Sequence, residues 1–236
     1  VYYNFADISD HKIFPKREIK NDTTDVFYFK NRVNKKLVIT MKDGGTFEDY
    51  LAKNETVAFL VIHNDTIKYE NYFNNYARES VVASFSMAKS FTSFLIGCAI
   101  EDGYINSVSD PVTHYIPELK ENGFEKVNLE HLLQMTSGLD FNESYINPFG
   151  HAATFYYGRQ LEKASLKLKL KNEPGTATDY VSGNTQLLGL ILDRVLKEKT
   201  ISTYLEEKLW KKWAWNTMPL GALIKIKMAL RKLFVA

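Results

Sequence analysis

Apolar and polar positions follow different rhythms along the chain, and each rhythm predicts an element. Residues 57–63 form a near-continuous apolar run, as expected for a strand covered on both faces. Asn64-Asp65 supply turn chemistry and residues 66–73 form the return strand of a hairpin. From residue 86 the period is helical: Ser86, Ser90, Ser93 and Gly97 make a stripe of small residues beside Phe91, Phe94, Leu95 and Cys98. A helix apolar nearly all round is a central, buried one, and Glu101-Asp102-Gly103 ends it. Residues 185–197 predict an amphipathic helix with Leu188, Leu192 and Val195 on one face, and residues 200–210 predict another. Shorter helices start at the cap residues Thr46 and Asn128, the second stopped by Thr136-Ser137-Gly138. Ser109-Asp110-Pro111 reads as a turn with proline opening the next element. Residues 149–170 read as helix. The alternation of Lys167, Lys169 and Lys171 with leucines fits a strand, but is read as a fraying helix end. Residues 25–29 and 37–41 predict short strands ahead of Gly44-Gly45.

Composition narrows the classes. With 236 residues, 45% hydrophobic and 25% charged, the chain suits one large domain or an α/β domain with a helical lobe. Thirty basic against 28 acidic residues leave no electrostatic footprint for nucleic acid. A single cysteine, Cys98, excludes an internal disulfide and is expected as a small buried hydrophobe. No apolar run reaches the ~20 residues of a membrane span, and no secretory signal is visible. The start at Val1 leads us to expect a mature or truncated form. The histidines, His11, His63, His114, His131 and His151, are scattered and read as structural or surface residues. No G-x-S-x-G elbow, H-E-x-x-H, Walker loop or G-x-G-x-x-G occurs.

Candidate chemistry lies in Ser86-Met87-Ala88-Lys89. Lys89 is the only side chain in residues 80–100 that carries charge at neutral pH. A serine and a lysine three residues apart share one helix face. Apolar surroundings disfavour the ammonium, so such a lysine can take the serine proton and activate a nucleophile. A plain N-cap serine beside a solvated lysine is the competing reading, and it leaves the absence of other charges unexplained.

A second segment, Pro174-Gly175-Thr176-Ala177-Thr178-Asp179-Tyr180-Val181-Ser182-Gly183-Asn184, carries Y-x-S ahead of a helix. With S-x-x-K and His131-Leu132-Leu133-Gln134-Met135-Thr136-Ser137-Gly138-Leu139, it resembles the serine β-lactamase and penicillin-recognising superfamily. The nearest branch is the class C-type serine hydrolases similar to 6-aminohexanoate-dimer hydrolase. The resemblance covers about residues 56–211. It implies an α+β fold, a helical lobe against an antiparallel sheet, and acyl transfer on a small amide or ester. Ser86 would be the nucleophile, Lys89 its base and Tyr180 the proton relay. Ser182 would hydrogen-bond near Lys89 or the substrate, and the Ser86 backbone N–H would form half of an oxyanion hole. No metal or organic cofactor is implied, and the family's usual setting is the bacterial cell envelope or periplasm.

The chain departs from that pattern after Ser182. The family's third motif, K-T-G or a similar triplet on a late strand, does not occur there. The expected organisation is an N-terminal extension at 1–45, an incomplete hydrolase domain at 46–212 and an atypical tail at 213–236. The tail is apolar and basic, which by itself fits a membrane-surface segment. The preferred expectation is a lost base: one A added near Lys212 permits the family-like continuation K-K-M-G-M-E-Y-D-A-S-W. Coding DNA that does not permit it would overturn this. Two alternatives to a working hydrolase follow, a non-catalytic truncated relative and a membrane-surface interaction protein.

Overall fold

The computed structural model describes residues 6–12, 17, 19, 27–33, 38–144, 146–147 and 149–212. The expectations for the 213–236 tail and for Asp25, Val26 and Leu37 lie outside these residues. The chain divides into two compact units, one taking Asn21–Val82 and the other Val1–Lys20 with Ala83–Lys212.

The smaller unit holds β1 (Lys30–Asn31), α1 (Phe47–Lys53), β2 (Ala58–His63) and β3 (Thr66–Tyr72). Thr46 caps α1 by accepting the Asp49 N–H at 3.0 Å. The predicted hairpin is present. Asn64 and Asp65 both take left-handed backbone (φ +48° and +53°), the geometry whose twist matches the flanking strands. β1 pairs in parallel with β3, so the order is β1-β3-β2 and, among the described residues, β2 is an edge. The expectation that residues 57–63 are covered on both faces fails. Val61 and Ile62, at a register shift, are 41% and 42% exposed. An edge strand has only one neighbour in its sheet, so an apolar run does not by itself guarantee cover.

The larger unit is helical: α2 (Met87–Glu101), α3 (Val112–Tyr115), α4 (Leu129–Leu133), α5 (His151–Tyr157), α6 (Leu161–Ser165), α7 (Ser182–Leu196) and α8 (Ile201–Leu205). A two-strand ladder joins β4 (Leu139–Asp140) to β5 (Lys169–Leu170). Together with the smaller unit's sheet, this makes an α+β protein.

The buried central helix is α7, not α2. Ten consecutive residues of α7, 183–192, are buried, and it packs against α2, α3, α4, α6 and α8. The small-residue stripe of α2 faces outward, with Ser86, Ser90, Ser93 and Gly97 all exposed. Ala88, Thr92, Leu95, Ile96, Cys98 and Ala99 form its buried side. Of the bulkier face, Leu95 and Cys98 turn to the core, whereas Phe94 is 42% exposed. Cys98 is buried as expected, and burial pushes its thiol pKa up.

The segment 149–170 is two short helices and a strand. Gly158 separates α5 from α6 where a Cβ would stand 2.1 Å from the Thr154 carbonyl oxygen. Within the lysine–leucine alternation, Leu166 and Lys167 are a turn that closes α6 and only Lys169–Leu170 is strand; Leu168 is buried and Lys169 exposed. α4 ends at Leu133, ahead of Met135 in left-handed backbone (φ +59°). His131 is structural, completing a capping box with Asn128. Tyr156 is core, its hydroxyl donating to the buried Asp10 at 2.7 Å.

Candidate active site

The start of α2 presents Ser86. Phe85, immediately before it, adopts φ +43°, a strained conformation for a bulky residue and common where a functional side chain is aimed. Ser86 is not a capping serine. Its own backbone is already helical and its side chain makes no cap hydrogen bond. Its Oγ instead accepts from Lys89 Nζ at 3.1 Å and from the Tyr180 hydroxyl at 2.7 Å. Lys89 Nζ also stands 5.2 Å from the Tyr180 ring centroid. Ser86 is exposed and Lys89 half-buried, so the amine is less enclosed than a central position for α2 implied.

Ser86, Lys89 and Tyr180 come from positions separated by up to 94 residues, yet meet at one oxygen. Ser182 does not join them through a hydrogen bond of its own. Its N–H donates to Glu143 Oε2 at 2.8 Å and its hydroxyl to Glu143 Oε1 at 2.5 Å. Glu143 was not anticipated from the sequence. It stands 39 residues from its partner in a loop, where no periodicity marks it.

The segment that carries Tyr180 is strapped down by the T-S-G-L stretch. Asp179 N–H donates to the Met135 carbonyl at 2.9 Å, and Gly175 N–H to that of Thr136 at 2.8 Å. Lys171 and Asn172 N–H groups both reach the Gly138 carbonyl. Lys171 Nζ adds a charged hydrogen bond to Asp179 at 2.7 Å, which raises the lysine pKa. Behind the strap, the Ser137 hydroxyl donates to Asn184 inside α7.

The group so assembled can carry out nucleophilic acyl transfer: one hydroxyl, one amine and one phenol within hydrogen-bond reach. Among the described residues, no group of three or more His, Cys, Asp or Glu is arranged to hold a metal ion. No helix among them is long and apolar enough to cross a membrane.

Comparison with known proteins bears on the family and the fold. A Beta-lactamase family model matches residues 45–219. The 6-aminohexanoate-dimer hydrolase of Paenarthrobacter ureafaciens is 29% identical over a 175-residue alignment that covers 69% of this chain and 44% of that protein. A Bacillus anthracis structure, named as a candidate 6-aminohexanoate-dimer hydrolase, superposes with a TM-score of 0.74 at 22% identity. The match covers 89% of this chain and 58% of that one. A candidate beta-lactamase from Bacteroides dorei gives a TM-score of 0.56 at 20% identity, over 69% of this chain and 48% of that one. The chain therefore spans about half the length of these relatives.

Proposed function

Because the chain belongs to the Beta-lactamase family, whose members include serine hydrolases, we propose that it cleaves a small amide or ester through an acyl-enzyme on Ser86. The observation that carries this reading is the convergence of Lys89 Nζ and the Tyr180 hydroxyl on Ser86 Oγ, at 3.1 and 2.7 Å.

In the proposed cycle Lys89 enters as the neutral amine. Ser86 Oγ bonds to the substrate carbonyl carbon while its proton passes to Lys89 Nζ. The carbonyl oxygen becomes an oxyanion, and the Ser86 backbone N–H supplies one donor to it. When the carbon–nitrogen or carbon–oxygen bond breaks, Tyr180 gives its proton to the leaving group and regains one from the Lys89 ammonium. Water then attacks the acyl carbon. Its proton follows the same Tyr180–Lys89 route back to Ser86 Oγ, which leaves as the hydroxyl. The net change is one amide or ester plus water to one acid plus amine or alcohol.

The relative from Paenarthrobacter is named for a linear amide dimer, and an open site built on an exposed serine suits an extended substrate of that kind. Ser182 supports the site through Glu143 in this reading, rather than by touching substrate. The test is labelling with a fluorophosphonate or β-lactam probe. We expect one adduct, on Ser86, that disappears in Ser86→Ala. Labelling that persists in Ser86→Ala would overturn the proposal.

A further inference from the structure

We infer that Glu143 is a positioning residue for Tyr180, acting through Ser182; the inference rests on the hydrolase reading of the Ser86 site. Tyr180 is 52% exposed, so packing alone does little to fix its ring. Its hydroxyl nevertheless sits 2.7 Å from Ser86 Oγ. The placement must then come from the backbone on either side. On the N-terminal side, Asp179 is tied to Met135 and Lys171. On the C-terminal side, Val181 is buried and Ser182 is held at two atoms by one carboxylate.

That second anchor has a specific cause. Ser182 opens α7, a 15-residue helix whose N-cap is Val181, a residue with no side-chain acceptor for the free N–H groups of the first turn. Glu143 supplies the acceptor from outside. It takes the Ser182 N–H with one oxygen and the Ser182 hydroxyl with the other, and it places negative charge at the positive end of the helix. The carboxylate is itself delivered firmly. Phe141, two residues earlier, is buried so close to α7 that a Cβ on Gly183 would stand 2.7 Å from its ring. Asn142 N–H donates to His151 Nδ1 at 3.1 Å. A rigid path thus runs from the 141–143 segment through Ser182 to the backbone of Tyr180 and to the phenol on Ser86.

The test is a double-mutant cycle on the full chain, reading the rate of acylation by a fluorophosphonate. Glu143→Ala is expected to slow acylation about 10–100-fold, the cost of a small misplacement of a reacting group. In a Tyr180→Phe background the same change is expected to alter the rate less than about twofold. Equal slowing in both backgrounds, or none in either, would overturn the inference. Glu143→Gln, which keeps one acceptor oxygen and the side-chain volume, should fall between; it carries the comparison if the alanine variant does not fold. A readout independent of turnover is the ring-carbon resonance of Tyr180 in 13C-tyrosine-labelled protein, assigned by its loss in Tyr180→Phe. It should shift in both Glu143 variants. An unshifted resonance would overturn the role of Glu143 even if the unsubstituted chain proves unreactive, a result that would count separately against the hydrolase reading.

Discussion

Single atoms decide whether the Ser86 site can form, and Gly138 shows how narrow the tolerance is. Its backbone is left-handed (φ +74°), and a Cβ there would stand 2.2 Å from the Asn172 carbonyl oxygen. That oxygen is backbone and cannot rotate away. Gly138→Ala must therefore displace the strand end that leads to Tyr180, beyond the ~1–3 kcal/mol typical of a strained conformation alone. We expect a lower melting temperature together with at least about tenfold slower probe labelling of Ser86. Normal labelling would show that the strap does not control the site. At this scale the sequence was partly readable. Ser86 and Lys89 stand out because no other charge interrupts residues 80–100, and Tyr180 because of its spacing to Ser182 and the following helix. Glu143 was invisible, since its partnership depends on chain folding across 39 residues.

Helices α2 and α7 exchange the positions that their sequences suggested. Hydrophobic content alone favoured α2 as the central helix, but what is buried depends on which face meets neighbours. The small stripe of α2 was left outside, while α7 buries Asn184, Thr185 and Gln186 along with its leucines. Such polar positions mask a buried helix in sequence, because hydrogen bonds such as Ser137 to Asn184 form only in the fold. The far end of α7 is held by Arg194, which makes two 2.8 Å bonds to Glu118 and reaches Glu162 at 3.2 Å. The Arg194 hydrogen bond holds the Glu118 carboxyl down, to about 2. A carboxylate whose folded pKa lies below its unfolded value near ~4.3 stabilises the fold fully at neutral pH. That contribution fades as pH falls below the unfolded value and is gone below the folded one. Glu118 is about half exposed, so solvent screening limits the pair to roughly 1 kcal/mol or less. Thermal melts should show Glu118→Gln less stable than the unsubstituted chain at pH 6, with the gap closing toward about pH 2. A gap independent of pH would mean that the charge pair contributes nothing.

For the molecule as a whole, the cluster of Ser86, Lys89 and Tyr180 is present in a chain that spans about half of its relatives' length. The hairpin was legible from periodicity, and the family, with the α+β fold it implies, from two short motifs and the segment between them. The cover over β2 and the true identity of the buried helix were not, because both depend on what packs against a surface rather than on the surface itself. The resemblance implies a second oxyanion donor on a strand with a K-T-G-like triplet, and no such triplet occurs in residues 183–236. Removing one such donor costs about 10²–10³ in rate. Ser86 is therefore expected to acylate, while steady-state ester hydrolysis should run about 10²–10³ slower than in a form supplied with that strand. Equal turnover in the two forms would show that the present residues already complete the oxyanion site.

Because α7 is at once the spine of the larger unit and the helix that opens two residues beyond Tyr180, durability and reactivity share one component here. Anyone redesigning this protein will find the two properties hard to tune apart inside that helix.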